Sequence, residues 1–205
     1  MKKALAVTFA AFVLMITLSA CTGRVKHDSY KEIYNRYSDI KSYIAEAEIT
    51  VKSNLTTNTY LVKQYFLAPD NYKTEITAPD NMAGTGYSFC DGEVRLNSSG
   101  GEVFSISDYV PEDRNYVFIN DFFANYYKSE DTFVETSGGI KNDCTVLKNV
   151  LSEGNPYRHS QTVKINNSSL LPEKLVTYDM DNNEVLSVEY KSFTFDTELE
   201  KEIFK

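Results

Sequence analysis

Apolar residues change their spacing several times along this chain, and each change marks an element. From His27 to Ile44, the residues Tyr30, Ile33, Tyr34, Tyr37, Ile40 and Ile44 recur in steps of three and four. That rhythm predicts an amphipathic helix, with Asp28 or Ser29 able to cap its start. Lys31, Glu32, Arg36, Asp39 and Lys41 fall largely on its solvent side. The period then drops to two: Ala45, Ala47, Ile49 and Val51 alternate with Glu46, Glu48, Thr50 and Lys52, as in a strand with one wet face. After a polar turn from Asn54 to Asn58, Tyr60, Val62, Gln64 and Phe66 alternate with Leu61, Lys63, Tyr65 and Leu67, so the two strands form a hairpin.

Pro69 ends that hairpin, and Tyr72 to Ile76 makes a third strand closed by Pro79. Asp91-Gly92, between Gly86 to Cys90 and Glu93 to Asn97, is a strong short hairpin signal, and Gly101 to Ile106 continues the meander. Between Asn115 and Ser129 the period lengthens again, crowding Phe118, Ile119, Phe122, Phe123, Tyr126 and Tyr127 onto one side of a predicted helix. Rings that each bury about 150–250 Å² would suffice to plug a curved sheet. Strands return at Cys144 to Leu151, Ser160 to Asn166, Leu175 to Asp179 and Val185 to Phe195, with Asp181-Asn182-Asn183 as the last turn. The expected fold class is α+β: a strongly curved antiparallel sheet, an open half-barrel of eight or more strands, wrapped around helices. A closed lipocalin-like barrel is the alternative, and a lipid-sized cavity fits either.

The beginning of the chain follows another pattern. Lys2 and Lys3 precede an apolar run from Ala4 to Leu18 that ends in Leu18-Ser19-Ala20-Cys21. A charged start, a short hydrophobic core and small residues form a secretory signal. The run falls slightly short of the roughly 20 apolar residues a comfortable span needs. Leu18-Ser19-Ala20-Cys21 resembles the lipobox of bacterial lipoproteins, in which cleavage before the cysteine is coupled to diacylglyceryl attachment at its sulfur. Residues 1–20 are therefore expected to be a lipoprotein signal peptide, and 21–205 a single domain tethered to the membrane through lipid (palmitate-type acyl chains) on Cys21. An uncleaved anchor helix or a plain signal peptide is the competing reading. Two or three acyl chains hold a protein firmly, whereas one holds it weakly.

Loss of residues 1–20 removes two lysines and no acid, moving the formal charge from −8 to about −10. Such a surface repels nucleic acid and anionic headgroups, so no nucleic-acid partner is expected and the lipid must do the membrane binding. The remaining length suits one core. Cys90 and Cys144 would lie where a disulfide is permitted, either paired or as two free, partly buried thiols.

Catalytic candidates are few. His27 sits near the tether and His159 lies in the stretch from Pro156 to Gln161; a surface histidine is the better reading of the latter. Asp179-Met180-Asp181-Asn182-Asn183 opens like a calcium loop, but the sixth and twelfth positions hold Glu184 and Tyr190 where glycine and glutamate are required, so a hairpin turn explains it. Glu46 and Glu48 share a strand face, where two carboxylates on a solvated strand serve solubility more often than catalysis. Neither a catalytic residue nor a metal or cofactor site is expected. The fifteen tyrosines and twelve phenylalanines could line a groove, though around Phe118 to Tyr127 a packed core is favoured.

The order of pieces carries a resemblance. A helix, then Tyr43-Ile44-Ala45-Glu46-Ala47-Glu48-Ile49, a hairpin, and Gln64-Tyr65-Phe66-Leu67-Ala68-Pro69-Asp70-Asn71-Tyr72-Lys73 resemble the start of the LolA/LppX/RseB superfamily. Ile165-Asn166-Asn167, Leu171-Pro172-Glu173-Lys174-Leu175, Tyr178-Asp179, Asn183-Glu184-Val185, Tyr190 to Phe195 and Ile203-Phe204 resemble its closing hairpin. Within it, the lipobox together with Ser53-Asn54, Thr57-Asn58-Thr59-Tyr60 and Val62-Lys63-Gln64-Tyr65-Phe66 is most similar to the GerS-type germination lipoproteins of spore formers. That resemblance implies a non-enzymatic protein on the outer face of the cytoplasmic membrane or a spore membrane, partnered with a CwlD-like cell-wall amidase that modifies spore cortex, and able to form a homodimer through exchanged strands. A tethered lipid or lipoprotein carrier, or an envelope sensor, is the alternative. Cys21 argues against a shuttling carrier, and no interface residue is assigned.

Overall fold

The computed structural model describes residues 29–107, 116–137 and 143–205. Cys21, His27 and the expected signal peptide, residues 1–20, lie outside them. Eleven antiparallel strands form one sheet in the order β6-β5-β4-β3-β2-β1-β11-β10-β9-β8-β7. The first wing comprises β1 (Ser42–Lys52), β2 (Thr57–Leu67), β3 (Asn71–Ala78), β4 (Gly86–Cys90), β5 (Glu93–Asn97) and β6 (Val103–Ile106). The second comprises β7 (Thr132–Ser137), β8 (Cys144–Asn155), β9 (Arg158–Asn166), β10 (Pro172–Tyr178) and β11 (Glu184–Phe195). The chain meanders outward from β1 to β6, crosses through helix α2 (Ile119–Tyr126), and meanders back until β11 pairs with β1. Strands β6 and β7 are the two ends of the sheet, so it is open rather than a closed barrel.

Alternation decides which side is buried. Tyr43, Ala45, Ala47 and Ile49 of β1 stand opposite Phe66, Gln64, Val62 and Tyr60 of β2, and this set faces the core with Ile76, Thr74 and Tyr72 of β3. In β11 the inward set changes phase. Partners jump from Glu46↔Ser192 to Ala47↔Tyr190, which leaves Lys191 as the extra residue of a β-bulge. Leu186, Val188 and Tyr190 face inward before the bulge, and Phe193 and Phe195 after it. Lys191, displaced outward, lies 3.8 Å from Glu48 and 3.4 Å from Glu189.

The first helix, α1 (Ser29–Tyr37), is shorter than the periodicity predicted. Ser38 and Asp39 turn the chain, and Ile44 belongs to β1 because pairing with β2 and β11 claims the backbone from Ser42 onward. Ile40 still packs against the core, so an apolar position persisted where the helix did not. Arg36 joins the helix to the end of β11: its guanidinium lies 4.0 Å over the Phe195 ring and 2.8 Å from the Asp196 carboxylate. Helix α2 likewise occupies only the middle of its predicted span. Phe118, in extended conformation, precedes it, so the aromatic stripe starts before the first helical turn. Strand β7 was not expected. The C-terminal 3-10 turn Lys201–Phe204 buries Phe204 and places Lys201 2.8 Å from Asp91 in the β4–β5 turn. Cys90 and Cys144 are not bonded to each other, and both are buried. No helix among the described residues is long and apolar enough to cross a membrane.

Candidate binding groove

The concave side of the sheet is filled at one end and open at the other. Phe118, Ile119, Phe122, Phe123 and Tyr126 are all buried, Phe123 stacking on Tyr37 of α1 at 4.2 Å. Tyr43 stacks on Phe193 at 4.7 Å and donates its hydroxyl hydrogen to Asn120 Oδ1 at 3.0 Å, while Asn120 Nδ2 donates to Asp121 Oδ1 at 3.1 Å. Asp121 is 3% exposed, in the first turn of α2, where the helix dipole favours a negative charge. Burial raises the pKa of the Tyr43 and Tyr190 hydroxyls, and the nearby Asp121 charge raises it further. Both phenols stay protonated at neutral pH and serve as packing and hydrogen-bonding groups.

The segment leading into α2 is clipped from both wings. Gln64 Nε2 of β2 donates to the Val117 carbonyl at 3.1 Å, and Gln161 Nε2 of β9 donates to the Tyr116 carbonyl at 3.0 Å. Both glutamines are completely buried, and Gln161 Nε2 also contacts Thr177 Oγ1 at 3.0 Å. Tyr116 has φ +39°, the left-handed region that a bulky side chain occupies only when its surroundings hold it there. The two clips supply that hold.

Beyond Val117 the groove opens into an apolar pocket of about 360 Å³, within the usual range of ligand and side-chain pockets. Ile49, Tyr60, Val62, Ile76, Tyr87 and Leu96 form much of its wall, Val117 closes its inner end and Arg158 stands on its rim. The Arg158 guanidinium is 5.8 Å from the centre of the Tyr116 ring. The pocket continues outward, since Leu96 of β5 stands opposite Phe104 of the edge strand β6, and both are exposed.

His159 lies half-buried near the start of β9. Glu46 and Glu48 lie on β1 away from the core, Glu48 beside Lys191. Asp179 closes the last hairpin: its carboxylate accepts hydrogen bonds from the backbone N–H of Asp181 and Asn183 and from Asn183 Nδ2, which lowers its pKa. Among the described residues, no three His, Cys, Asp or Glu side chains are grouped to hold a metal ion. The groove therefore offers surface, shape and hydrogen-bonding groups. Its two clip glutamines and Arg158 were not singled out by sequence reasoning; an uncharged amide at an inward position of an apolar stripe, as at Gln64, was the available signal.

The model of the sporulation protein YdcC-like family matches residues 1–204. The chain belongs to that family. Sporulation protein YdcC of Bacillus subtilis (strain 168) is 21% identical over 214 residues, covering 99% of this chain. The chain spans 60% of that protein's length. Among solved structures, the CwlD amidase from Clostridioides difficile in complex with the GerS lipoprotein contains a chain 25% identical to this one, with TM-score 0.50, covering 86% of this chain and 96% of that one. An uncharacterized conserved protein from Thermus thermophilus matches at TM-score 0.54 with 13% identity, covering 86% of this chain and 93% of that one, a likeness of fold. This YdcC-like chain thus carries the GerS resemblance in both its sequence and its open curved sheet.

Proposed function

We propose that this YdcC-like protein is a membrane-tethered, non-enzymatic partner of a CwlD-like N-acetylmuramoyl-L-alanine amidase in spore formation and germination. The observation that carries the reading is the likeness, over 86% of the chain, to the structure in which GerS is in complex with the CwlD amidase. Membership of a sporulation family agrees with it. In this reading Cys21 is the acylated first residue, holding the domain on the outer face of the cytoplasmic membrane or a spore membrane. The protein contributes no catalytic group; it acts by binding the competent state of the amidase preferentially, which raises that state's population. The exposed edge strands β6 and β7 also give a strand-exchanged homodimer a route.

The test is a pull-down from sporulating cells followed by amidase assays with and without the protein. Co-purification of the amidase and a loss of cortex lactam on deletion are expected. An unaltered cortex with no co-purifying amidase would refute the proposal. The open apolar pocket supports a second reading, a tethered lipid or lipoprotein carrier, for which acyl species retained in native mass spectra would be the sign.

A further inference from the structure

We infer that the open end of the groove is the partner-docking site: its pocket receives an apolar anchor of the amidase polypeptide, and a carboxylate of the same polypeptide sits on Arg158. This rests on the partner reading above and goes beyond it by naming the surface and the chemistry.

Four observations converge. The apolar wall does not end at the pocket. Leu96, 43% exposed, is paired in register with Phe104, 59% exposed, and Ile106, two residues on along the same face of β6, is exposed as well. A continuous apolar surface of this kind on an acidic chain marks a protein contact. Arg158 gives that surface a polarity. Among the described residues no carboxylate lies within ion-pair distance of it, and its contact with the Tyr116 ring leaves the guanidinium N–H groups available for a bidentate carboxylate. An arginine beside aromatic rings at the edge of an apolar pocket is a common energetic centre of protein interfaces.

The remaining two observations favour a polypeptide over an acyl chain. Thr74, 8% exposed, lines the pocket, and its hydroxyl oxygen is buried with no hydrogen-bond partner. A peptide brings N–H and C=O groups to satisfy it, whereas a hydrocarbon brings none. Strand β6 is the end of the sheet, so its outer backbone groups are open to an added strand next to the pocket.

The experiment uses the full-length chain in detergent micelles and the CwlD-like amidase of the same organism as the probe. Hydrogen exchange of the wild-type pair should show protection at residues 93–106 and 116–118. Affinity should fall at least about tenfold in Arg158→Glu and in Leu96→Glu. Arg158→Lys, which keeps the charge but loses the bidentate fork and the planar contact with the ring, should fall between wild type and Arg158→Glu, and Phe133→Glu on the opposite edge should leave affinity unchanged. The exchange footprint requires no variant, so a misfolded mutant does not spare the inference. Wild-type binding with protection elsewhere, or with undiminished affinity in Arg158→Glu and Leu96→Glu, overturns the docking site and leaves the partner reading standing. Absence of any wild-type binding overturns both. Acyl species that co-purify with wild type and are lost in Leu96→Glu, with amidase affinity unchanged, would make the pocket a lipid site and overturn the inference.

Discussion

Replacing Gln161 by leucine tests whether the segment before α2 is held by side chains rather than by its own conformation. The amide is fully buried and its Nε2 serves two acceptors, the Tyr116 carbonyl and Thr177 Oγ1, each at 3.0 Å, while its Oε1 has no partner. Two lost hydrogen bonds are worth about 0.5–1.5 kcal/mol each, and a buried carbonyl left without a donor costs about 1–3 kcal/mol. Leucine also removes the unpartnered Oε1, which offsets part of that loss. Gln161→Leu should therefore destabilise by about 2 kcal/mol. Gln64→Leu, which loses a single bond to the Val117 carbonyl and likewise an unpartnered oxygen, should cost about 1 kcal/mol. Both act on one segment, so the double variant should lose less than the sum. Urea unfolding of the chain from Cys21 gives the free energies, and hydrogen exchange at residues 116–118 gives the local opening. Gln161→Leu within about 0.5 kcal/mol of wild type, or Gln64→Leu the costlier of the two, would refute the clip.

Three further outcomes follow from the packing. Phe122→Ala should lower the unfolding free energy by about 3–5 kcal/mol, since the ring is 1% exposed and wedged between Phe123 and Tyr126; a urea midpoint near wild type would contradict its role as plug. Gly86→Ala should destabilise by about 1–3 kcal/mol, because a Cβ there would meet the Thr74 carbonyl of the adjacent strand, and a neutral effect in the same assay would contradict the β3–β4 packing. In alkali, Tyr37, Tyr43 and Tyr190 have folded pKa values raised by burial, whereas an unfolded tyrosine ionises near pH 10. The folded state keeps protons that the unfolded state releases, so stability is full below about pH 10 and falls as pH rises above it. Unfolding free energy against pH, read with tyrosinate absorbance, checks this. Stability unchanged at pH above about 10 would refute it, and Tyr190→Phe should flatten the decline.

Much of the fold was legible because one-sided burial forces a period of two. Ala45, Ala47 and Ile49 against Tyr60, Val62, Gln64 and Phe66 could only be a hairpin with one buried face, and the β1–β2 register agrees. Asp91-Gly92 marked the β4–β5 turn for a different, local reason: Asp91 and Gly92 both have positive φ, as a two-residue hairpin turn requires. Elements governed by distant partners were harder to read. Helix α1 stops at Tyr37 although apolar spacing continues to Ile44, because sheet pairing outweighs a weak helical preference. Strand β7 has its apolar residues Phe133 and Val134 adjacent and both exposed, so it carries no alternation to find. The bulge at Lys191 was present as the step from Tyr190 to Phe193, but it means nothing until Glu46 and Ala47 are set beside it. The groove was the least legible part. Gln64 and Gln161 are far apart in sequence and meet only through the carbonyls of Tyr116 and Val117, and Arg158 reaches the pocket from the far wing.

The central claim is that this YdcC-like chain is a tethered partner of a cortex amidase, and the most direct measurement is affinity purification of the epitope-tagged full-length protein from sporulating cells. The account predicts that the CwlD-like amidase is recovered in stoichiometric amount from the membrane fraction, and that this recovery is lost from membranes when Cys21 is replaced by alanine. Quantitative recovery of the tagged protein without the amidase would contradict it.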